Sequence, residues 1–329
     1  MNISILGAGA WGTALAIGLS ACHRVTLWVR DPLHYDEMKA SRVNRRHLDP
    51  FPLPAGILLE NDLNAAIFGA DLVLIAVPMS GLRESLRFIF NMGCKAPVVW
   101  VSKGFEAGSS KLAHQVALEE YDGIAPVGAL SGPSFAREVA QGLPVALTLA
   151  SNDAAFASKT AAALHSNRIR VYSSEDLVGV EVGGAVKNVM AIASGISDGL
   201  GLGSNARAAL ITRGLAEITR LGLKLGGRLE TFLGLSGVGD LTLTCTGDLS
   251  RNRTVGIHLA AGKPLDEILS ELGATAEGVY TAQEVARLAD ALNIEMPITK
   301  AVCSVLYGGV SAKAAVEELM KRDSKAESS

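Results

Sequence analysis

Short apolar runs alternate with stretches of helical periodicity from Met1 to about residue 172. The runs are rich in valine, leucine and isoleucine, which is typical of strands that are buried on both faces. This alternation predicts a parallel sheet covered by helices on both sides. The expected strands are Ile3–Leu6, Val25–Val29, Leu72–Val77, Val98–Val101, Val127–Leu130, Val145–Leu149 and Arg168–Val171, and the clearest helices are Trp11–Ser20, Gly81–Asn91 and Asp153–Leu164.

The pattern changes after Ser173, where strand-like runs give way to long amphipathic patterns such as Asn205–Leu225 and Ala282–Leu292. Helix-capping residues at Ser173–Asp176 mark the change. We therefore expect an α/β protein with two domains. A Rossmann-type parallel-sheet domain would span residues 1–175, and an all-helical domain, which binds the substrate, would span residues 176–329.

Three glycines, Gly7, Gly9 and Gly12, directly follow the first expected strand and open the first expected helix. This spacing is the fingerprint of a dinucleotide-binding turn. The first glycine permits the tight turn, the second lets the backbone approach a diphosphate, and the third lets the helix pack closely on the sheet. Ala10 and Trp11 begin the helix, whose N-terminal N–H groups are expected to face the diphosphate.

Composition narrows the class of protein and its compartment. The net charge is −3 and 19% of the residues are charged, so no broad basic surface for nucleic acid is expected. The four cysteines and six histidines are scattered without metal-ligand spacing, so we predict no metal site and reduced thiols. The sequence predicts neither a leader segment nor an uninterrupted apolar run that could span a bilayer. A cytoplasmic protein without stable membrane association is expected.

Two polar segments follow expected strands, at the edge of the sheet where ligands bind in open α/β folds. The first is Ser102-Lys103-Gly104, which points Lys103 towards the same crevice as the glycine turn. The second is Ser131–Ala136, with the sequence SGPSFA. The alternatives are a solvated loop lysine for Lys103 and simple helix capping for Ser134.

Paired glycines inside an expected long helix indicate that another group approaches its backbone closely. Gly183 and Gly184 cost helix stability, about 1 kcal/mol each relative to alanine. Lys187 follows one turn later in an otherwise apolar helix. Burial would lower the pKa of Lys187, which suits it to exchange a proton near neutral pH. The alternative is a surface lysine whose stem lies along the helix.

A further segment, Leu235–Arg253, combines small and hydroxyl residues with the arginine-rich sequence Ser250-Arg251-Asn252-Arg253. Convergent donors at a helix start, together with a guanidinium group, are suited to a phosphate. The alternative is a serine-capped surface helix. A cofactor turn, two lysines and one anion site together indicate the reduction of a phosphorylated carbonyl compound.

These motifs, GAGAWG at 7–12, SKG at 102–104, SGPSFA at 131–136, GGAVKN at 183–188 and GDLTLTCTGDLSRNR at 239–253, closely resemble those of the bacterial NAD(P)-dependent glycerol-3-phosphate dehydrogenases. The resemblance covers nearly the whole chain. It implies a reversible reduction of dihydroxyacetone phosphate to sn-glycerol 3-phosphate, which supplies phospholipid synthesis.

The resemblance also implies roles for individual residues. Lys187 would be the proton donor, Lys103 would contact substrate and cofactor, and Asp240 would bind a substrate hydroxyl and orient Lys187. The other implied substrate contacts are Gly132, Ser134, Ser250, Arg251 and Asn252; the other implied cofactor contacts are Gly7, Gly9, Ala10, Trp11, Gly12, Arg30, Ala136, Arg251, Thr275 and Glu277. The family often has serine at the position of Ala10 and valine near Thr275, so these two positions depart from its pattern.

The choice of cofactor depends on the end of the second expected strand, where Arg30 precedes Asp31. A guanidinium group there suits the extra phosphate of NADP, so NADPH is expected to be preferred and NADH also accepted. The alternative is that Asp31 and Pro32 merely begin the next helix. A homodimer is expected, because the second domain is rich in apolar helices.

Two other functions remain open from the sequence. The chain could be another β-hydroxyacid or 6-phosphogluconate-type dehydrogenase, with a carboxylate substrate at the arginine turn. It could also be a redox-sensing NAD(P)-binding protein without turnover, in which case the lysines would be dispensable.

Overall fold

A computed structural model describes residues 1–121, 123–273 and 276–322. Eight strands form one sheet: β1 (Asn2–Leu6), β2 (Arg24–Trp28), β3 (Ile57–Glu60), β4 (Leu72–Ile75), β5 (Val98–Trp100), β6 (Val127–Ser131), β7 (Val145–Ala150) and β8 (Ile169–Ser174). Their order is β3-β2-β1-β4-β5-β6-β7-β8. From β1 the chain adds β2 and β3 on one side, and it then adds β4 and the later strands on the other side of β1. In open α/β sheets, ligands bind in the crevice at the carboxyl ends of the two strands where the order switches, here β1 and β4.

The helices that cover the sheet are α1 (Ala10–Leu19), α2 (Pro32–Ser41), α3 (Leu63–Ile67), α4 (Met79–Asn91), α5 (Ala113–Tyr121), α6 (Ala136–Ala140) and α7 (Ala154–Leu164). Apolar side chains from both faces of the sheet pack against them in two clusters. The N-terminal part of the next helix also joins one of these clusters, through Leu177 and Val180. The expected strands and helices of this half are therefore confirmed in type and position.

Two features of the sheet differ from the expectation. Strand β3 was not predicted, because it is only four residues long and lies at the sheet edge, where Leu58 is exposed. Strands β6 and β7 pair antiparallel, whereas the other neighbours pair parallel. The connecting helix α6 has five residues, too few to carry the chain back along the sheet, so β7 starts from the edge where β6 ends.

The second half of the described chain is helical. It contains α8 (Leu177–Gly199), α9 (Gly203–Lys224), α10 (Leu229–Phe232), a π-helical turn (Leu235–Gly239), α11 (Asp240–Thr246), α12 (Arg251–Ala260), α13 (Leu265–Leu272), α14 (Glu277–Ala291), α15 (Pro297–Tyr307) and α16 (Ala312–Met320). The apolar residues of α8 are buried at the centre of this bundle.

Helix α8 is the one helix in the described ranges with the length and mean hydropathy of a membrane span, and its apolar sequence is interrupted by Glu181 and Lys187. However, 94% of its most apolar window is buried inside the protein. Its apolar surface is therefore already covered by the surrounding helices, as in the central helix of a bundle.

The start of α8 is fixed by a buried carboxylate. Asp176 caps the helix by accepting a hydrogen bond from the Gly179 N–H at 2.8 Å. Its other oxygen accepts from the Arg228 N–H at 2.8 Å and from the Thr231 hydroxyl at 2.6 Å. Asp176 therefore joins the first turn of α8 to the chain that leads into α10.

We predict that Asp176→Ala lowers the free energy of unfolding by about 3 kcal/mol, because it removes a cap and leaves buried donors unpaired. Asp153→Ala is the matched control, since Asp153 caps α7 at the surface through one bond to the Phe156 N–H. The control should cost about 1 kcal/mol. Urea unfolding monitored by circular dichroism compares the two variants, and equal losses would contradict this role of Asp176.

Candidate active site

The glycine turn between β1 and α1 leaves a space suited to a dinucleotide. Gly7 has φ +118°, and a Cβ there would lie 2.8 Å from the Ala76 carbonyl oxygen. A Cβ at Gly12 would lie 2.0 Å from the Gly7 carbonyl oxygen. A Cβ at Gly9 meets no protein atom within 4 Å, so the space above Gly9 is open.

The N-terminus of α1 faces this space without a side-chain cap, because Gly9 is its N-cap residue. Ala10 and Trp11 form the first turn of α1. The uncapped N–H groups and the helix dipole favour an anion such as a diphosphate. The turn therefore suits the diphosphate of a dinucleotide, which is the group that the sequence indicates.

The structure places Arg30 and Asp31 just beyond β2. Arg30 is exposed and has no hydrogen bond or salt bridge with another described residue. Asp31 is the N-cap residue of α2 and accepts from the Leu33 N–H at 3.0 Å. Asp31 and Pro32 therefore do begin the next helix, and Arg30 is still available for a ligand.

Lys187 lies on α8 and is 7% exposed. Its Nζ donates hydrogen bonds to Oδ1 of Asp240 and, at 2.9 Å, to the Thr244 hydroxyl. Burial lowers the pKa of Lys187 to about 7; the Lys103 ammonium adds to this effect, and Asp240 opposes it. A lysine with this pKa can donate or accept a proton near neutral pH.

Asp240 joins the two lysines that come from the two halves of the chain. Its Oδ2 accepts a hydrogen bond from Lys103 Nζ at 2.7 Å, while Oδ1 accepts from Lys187. Asp240 itself is fully buried at the start of α11. Lys103, which follows β5, is more exposed, with 17% of its side chain accessible. The alternative of a solvated loop lysine is therefore wrong for Lys103.

The segment after β6 forms the wall beside Lys103. The Gly132 carbonyl accepts from Lys103 Nζ at 3.3 Å and from the Ser134 hydroxyl at 2.9 Å. Ser134 does not cap α6, whose N-cap residue is Phe135. Ala136 is the first residue of α6. The structure thus places Gly132 next to Lys103, and Ser134 next to Gly132.

The paired glycines of α8 allow two close approaches, as the sequence predicts. A Cβ at Gly183 would lie 2.2 Å from the backbone carbonyl oxygen of Ser236, in the π-helical turn. A Cβ at Gly184 would lie 2.8 Å from the hydroxyl of Ser131. The contact with Ser236 packs the π-helical segment that precedes Asp240 against α8 at Gly183. Gly183 lies one helical turn before Lys187.

In the arginine-rich turn at the start of α12, some side chains are bound within the protein and one guanidinium is not. Ser250 caps α12 through its hydroxyl, which accepts from the Arg253 N–H at 3.3 Å. The Arg253 guanidinium is bound to Asp198 at 2.8 Å and to Asp248 at 3.0 Å. Arg251 is exposed and has no hydrogen bond or salt bridge within the described ranges. Arg251 is therefore the guanidinium in this turn that a phosphate can use.

Asn252 is buried and connects three helices. Its Nδ2 donates to Oδ1 of Asn188 at 3.1 Å, and its Oδ1 accepts from the Gly278 N–H at 3.0 Å. Glu277, beside Gly278, begins α14. Burial raises the pKa of Glu277, and the backbone of Met79 and the charge of Arg251 oppose this effect. Thr275 lies outside the described residues.

Two residues of this site make contacts that were not expected from the sequence, although Thr244 is one of the hydroxyl residues of the expected phosphate segment. Thr244 contacts Lys187, and Asn188 contacts Asn252. Both lie inside the motifs that were recognised, and Thr244 stands four residues after Asp240, on the same helix face. That spacing is the signal that could have identified Thr244. Within the described ranges, no group of three histidine, cysteine or acidic residues could hold a metal ion.

Two family models match the chain. The model for the N-terminus of NAD-dependent glycerol-3-phosphate dehydrogenase matches residues 2–157, and the model for its C-terminus matches residues 176–317. A protein of Nitrosospira multiformis called glycerol-3-phosphate dehydrogenase (NAD(P)+) is 64% identical over 99% of both chains. One of the same name from Dechloromonas aromatica is 58% identical over 99% of both chains.

Solved structures agree with these matches. The crystal structure of glycerol-3-phosphate dehydrogenase from Coxiella burnetii has a TM-score of 0.93 and 44% identity, covering 98% of this chain and 99% of that one. A D-mandelate dehydrogenase shares the fold at a TM-score of 0.62 with 16% identity, covering 94% of this chain and 98% of that one. The fold is therefore shared beyond the family, and the chain belongs to the NAD-dependent glycerol-3-phosphate dehydrogenase family.

Proposed function

We propose that this protein catalyses the reversible reduction of dihydroxyacetone phosphate to sn-glycerol 3-phosphate with NADPH or NADH. The observation that carries the proposal is the cluster in which buried Asp240 holds Lys187 and Lys103 together. The matched family and the glycine turn support the same reaction. The nicotinamide supplies the hydride when the cofactor is bound.

Lys187 is the proton donor in the direction of reduction. Its ammonium gives one proton to the carbonyl oxygen as the hydride reaches carbon C2, so the ketone becomes a secondary alcohol and Lys187 becomes a neutral amine. In oxidation the neutral amine takes the proton back. A pKa lowered to about 7 by burial allows both forms near neutral pH.

Lys103 and Asp240 prepare the site for this transfer. The Lys103 ammonium stabilises the negative charge that develops on the carbonyl oxygen, and it also contacts the cofactor. Asp240 binds a substrate hydroxyl and keeps Lys187 in position, as its hydrogen bond to Lys187 supports. Gly132 and Ser134 line the substrate space beside Lys103.

The substrate phosphate binds at the start of α12. Ser250, Arg251 and Asn252 form this part of the site, and the unpaired guanidinium of Arg251 supplies the main charge. Arg251 also reaches the cofactor. The remaining cofactor contacts are Gly7, Gly9, Ala10, Trp11, Gly12, Arg30, Ala136, Thr275 and Glu277.

The protein works as a homodimer in the cytoplasm, without stable membrane association, and its product supplies glycerophospholipid synthesis. Within the described ranges, the one helix that is long and apolar enough to cross a membrane is mostly buried inside the protein, which supports the absence of membrane association. Exposed leucines on the helical half, at positions 202, 223, 229 and 233, support self-association through this half.

The first test replaces the proton donor. Lys187→Ala is expected to lower kcat for dihydroxyacetone phosphate reduction by about a hundredfold to ten-thousandfold, because a general acid contributes that much. The NADPH dissociation constant should stay close to that of the wild type. NADPH oxidation at 340 nm and a binding titration measure the two quantities. Lys159→Ala, at an exposed position of α7, is the control.

Either of two results would count against this assignment. Unchanged turnover in Lys187→Ala would remove Lys187 from the reaction. Tight NADPH binding by the wild type without turnover of dihydroxyacetone phosphate would favour a sensor of the redox state.

The second test uses pH. Lys187 is an ammonium below about pH 7 and an amine above it, so kcat for reduction should fall as pH rises through 7, and kcat for oxidation should rise. We specify kcat, because the substrate phosphate titrates near pH 6 and also affects binding. Parallel pH profiles for the two directions would contradict the proton-transfer role.

The third test concerns the dinucleotide turn. Gly9→Ala should fold normally, because its Cβ meets no protein atom, but should weaken NADPH binding about tenfold or more by filling the diphosphate space. Gly56→Ala is a matched control, since a Cβ there also meets nothing and φ is not positive. Binding titration and urea unfolding measure both variants. Wild-type affinity in Gly9→Ala would place the diphosphate elsewhere.

A further inference from the structure

The loop after α2 is fastened directly onto the glycine turn. Asn44 is fully buried, and its Nδ2 donates to the Ala8 carbonyl at 2.8 Å and to the Thr13 hydroxyl at 2.7 Å. Its Oδ1 pairs with Nε2 of His34 at 2.9 Å and accepts from the His47 N–H at 3.2 Å. Both N–H groups of the side-chain amide and both lone pairs of its oxygen therefore have hydrogen-bond partners. The residues beside Asn44 are therefore held next to the dinucleotide turn.

Arg46 extends from this loop to two carboxylates. Its Nη1 donates to Oδ2 of Asp31 at 2.7 Å. Its Nε and Nη2 form a two-pronged contact with Glu37, at 2.7 and 2.6 Å. A guanidinium that is bound by three bonds in a planar fork has a fixed orientation.

Asp31 is the acidic residue at the position where Rossmann folds select their cofactor. It stands 19 residues after Gly12, just beyond β2, where an acidic side chain normally binds a ribose 2′-hydroxyl. Here both of its oxygens are engaged, Oδ1 by the Leu33 N–H and Oδ2 by Arg46. The hydrogen bond from Arg46 also lowers the pKa of Asp31, so the carboxylate stays ionised and paired.

We propose that Arg46 determines the cofactor preference by holding the Asp31 carboxylate, which leaves Arg30 to meet the adenosine ribose. The paired carboxylate neither accepts a hydrogen bond from the 2′-hydroxyl of NADH nor repels the 2′-phosphate of NADPH. Arg30 has no salt bridge in the part of the chain that the structure describes, so its guanidinium can bind that phosphate. This inference rests on the proposed function and adds a residue that determines its cofactor specificity.

A double-mutant cycle tests whether Arg46 acts through Asp31. The proteins are the wild type, Arg46→Gln, Asp31→Asn and the double variant. For each, kcat/KM with NADPH and with NADH is measured using dihydroxyacetone phosphate, and both dissociation constants are measured by calorimetry. Arg46 is a surface residue with 38% of its side chain exposed, so Arg46→Gln should fold.

Arg46→Gln should lower the NADPH-to-NADH ratio of kcat/KM about tenfold, because an uncompensated carboxylate then faces the ribose. Asp31→Asn alone should change the ratio by less than about twofold, since the wild-type carboxylate is already occupied. The double variant should return to within about threefold of the wild-type ratio.

Two results would overturn the proposal. An unchanged ratio in Arg46→Gln would show that Arg46 has no influence on the choice of cofactor. A ratio that stays low in the double variant would show that Arg46 binds the phosphate itself. Arg87→Gln is the matched control, because Arg87 is an exposed arginine paired with Glu120 on the outside of the protein. It removes the same charge and should leave the ratio unchanged.

Calorimetry separates this proposal from the proposed function. If the wild type fails to reduce dihydroxyacetone phosphate, the proposed reaction is wrong, but the NADPH and NADH dissociation constants still report on Arg46. If the wild type reduces dihydroxyacetone phosphate but the double-mutant cycle gives either overturning result, only the role of Arg46 is wrong.

Discussion

The active site depends on one fully buried carboxylate that is shared by two ammonium groups. Asp240 supplies one oxygen to Lys187 and the other to Lys103. An isolated buried lysine would lose its proton almost completely, and an isolated buried aspartate would be strongly destabilising. Together they keep charge in the protein interior while burial lowers the pKa of Lys187 to about 7. The cluster also joins the two halves of the chain, since Lys103 follows strand β5 and Lys187 lies on helix α8.

Much of the fold serves to bring these groups together. Helix α8 is covered along its length, capped by Asp176 at its start, and approached closely at Gly183 by the turn that precedes Asp240. The glycine turn and the open end of α1 lie at the carboxyl edge of the same sheet that positions Lys103. Lys103 and the glycine turn therefore lie at one edge of the sheet, because the carboxyl ends of the parallel strands meet there, and Asp240 brings Lys187 to Lys103 at this edge.

The sequence was sufficient for the elements with strong periodicity and for the motifs that carry chemistry. It predicted that something approaches Gly183 and Gly184, but not which atoms, because Ser236 and Ser131 lie far away in the sequence. The antiparallel pairing of β7 depends on the shortness of α6, and β3 is a brief edge strand, so periodicity indicated neither. The sequence also does not show that Asp198 pairs with Arg253, the second arginine of the arginine-rich turn, because these two residues are 55 positions apart. The sequence pattern carries no information about such contacts between residues that are distant in the chain.

The most direct test of the account is the pKa of Lys187 itself, measured by nuclear magnetic resonance of the side-chain Nζ in protein labelled at lysine. We expect one lysine signal to titrate near pH 7, and this signal should be missing in Lys187→Arg. If every lysine keeps a pKa close to the usual value of about 10.4, the buried ammonium is not prepared for proton transfer and the central claim is wrong.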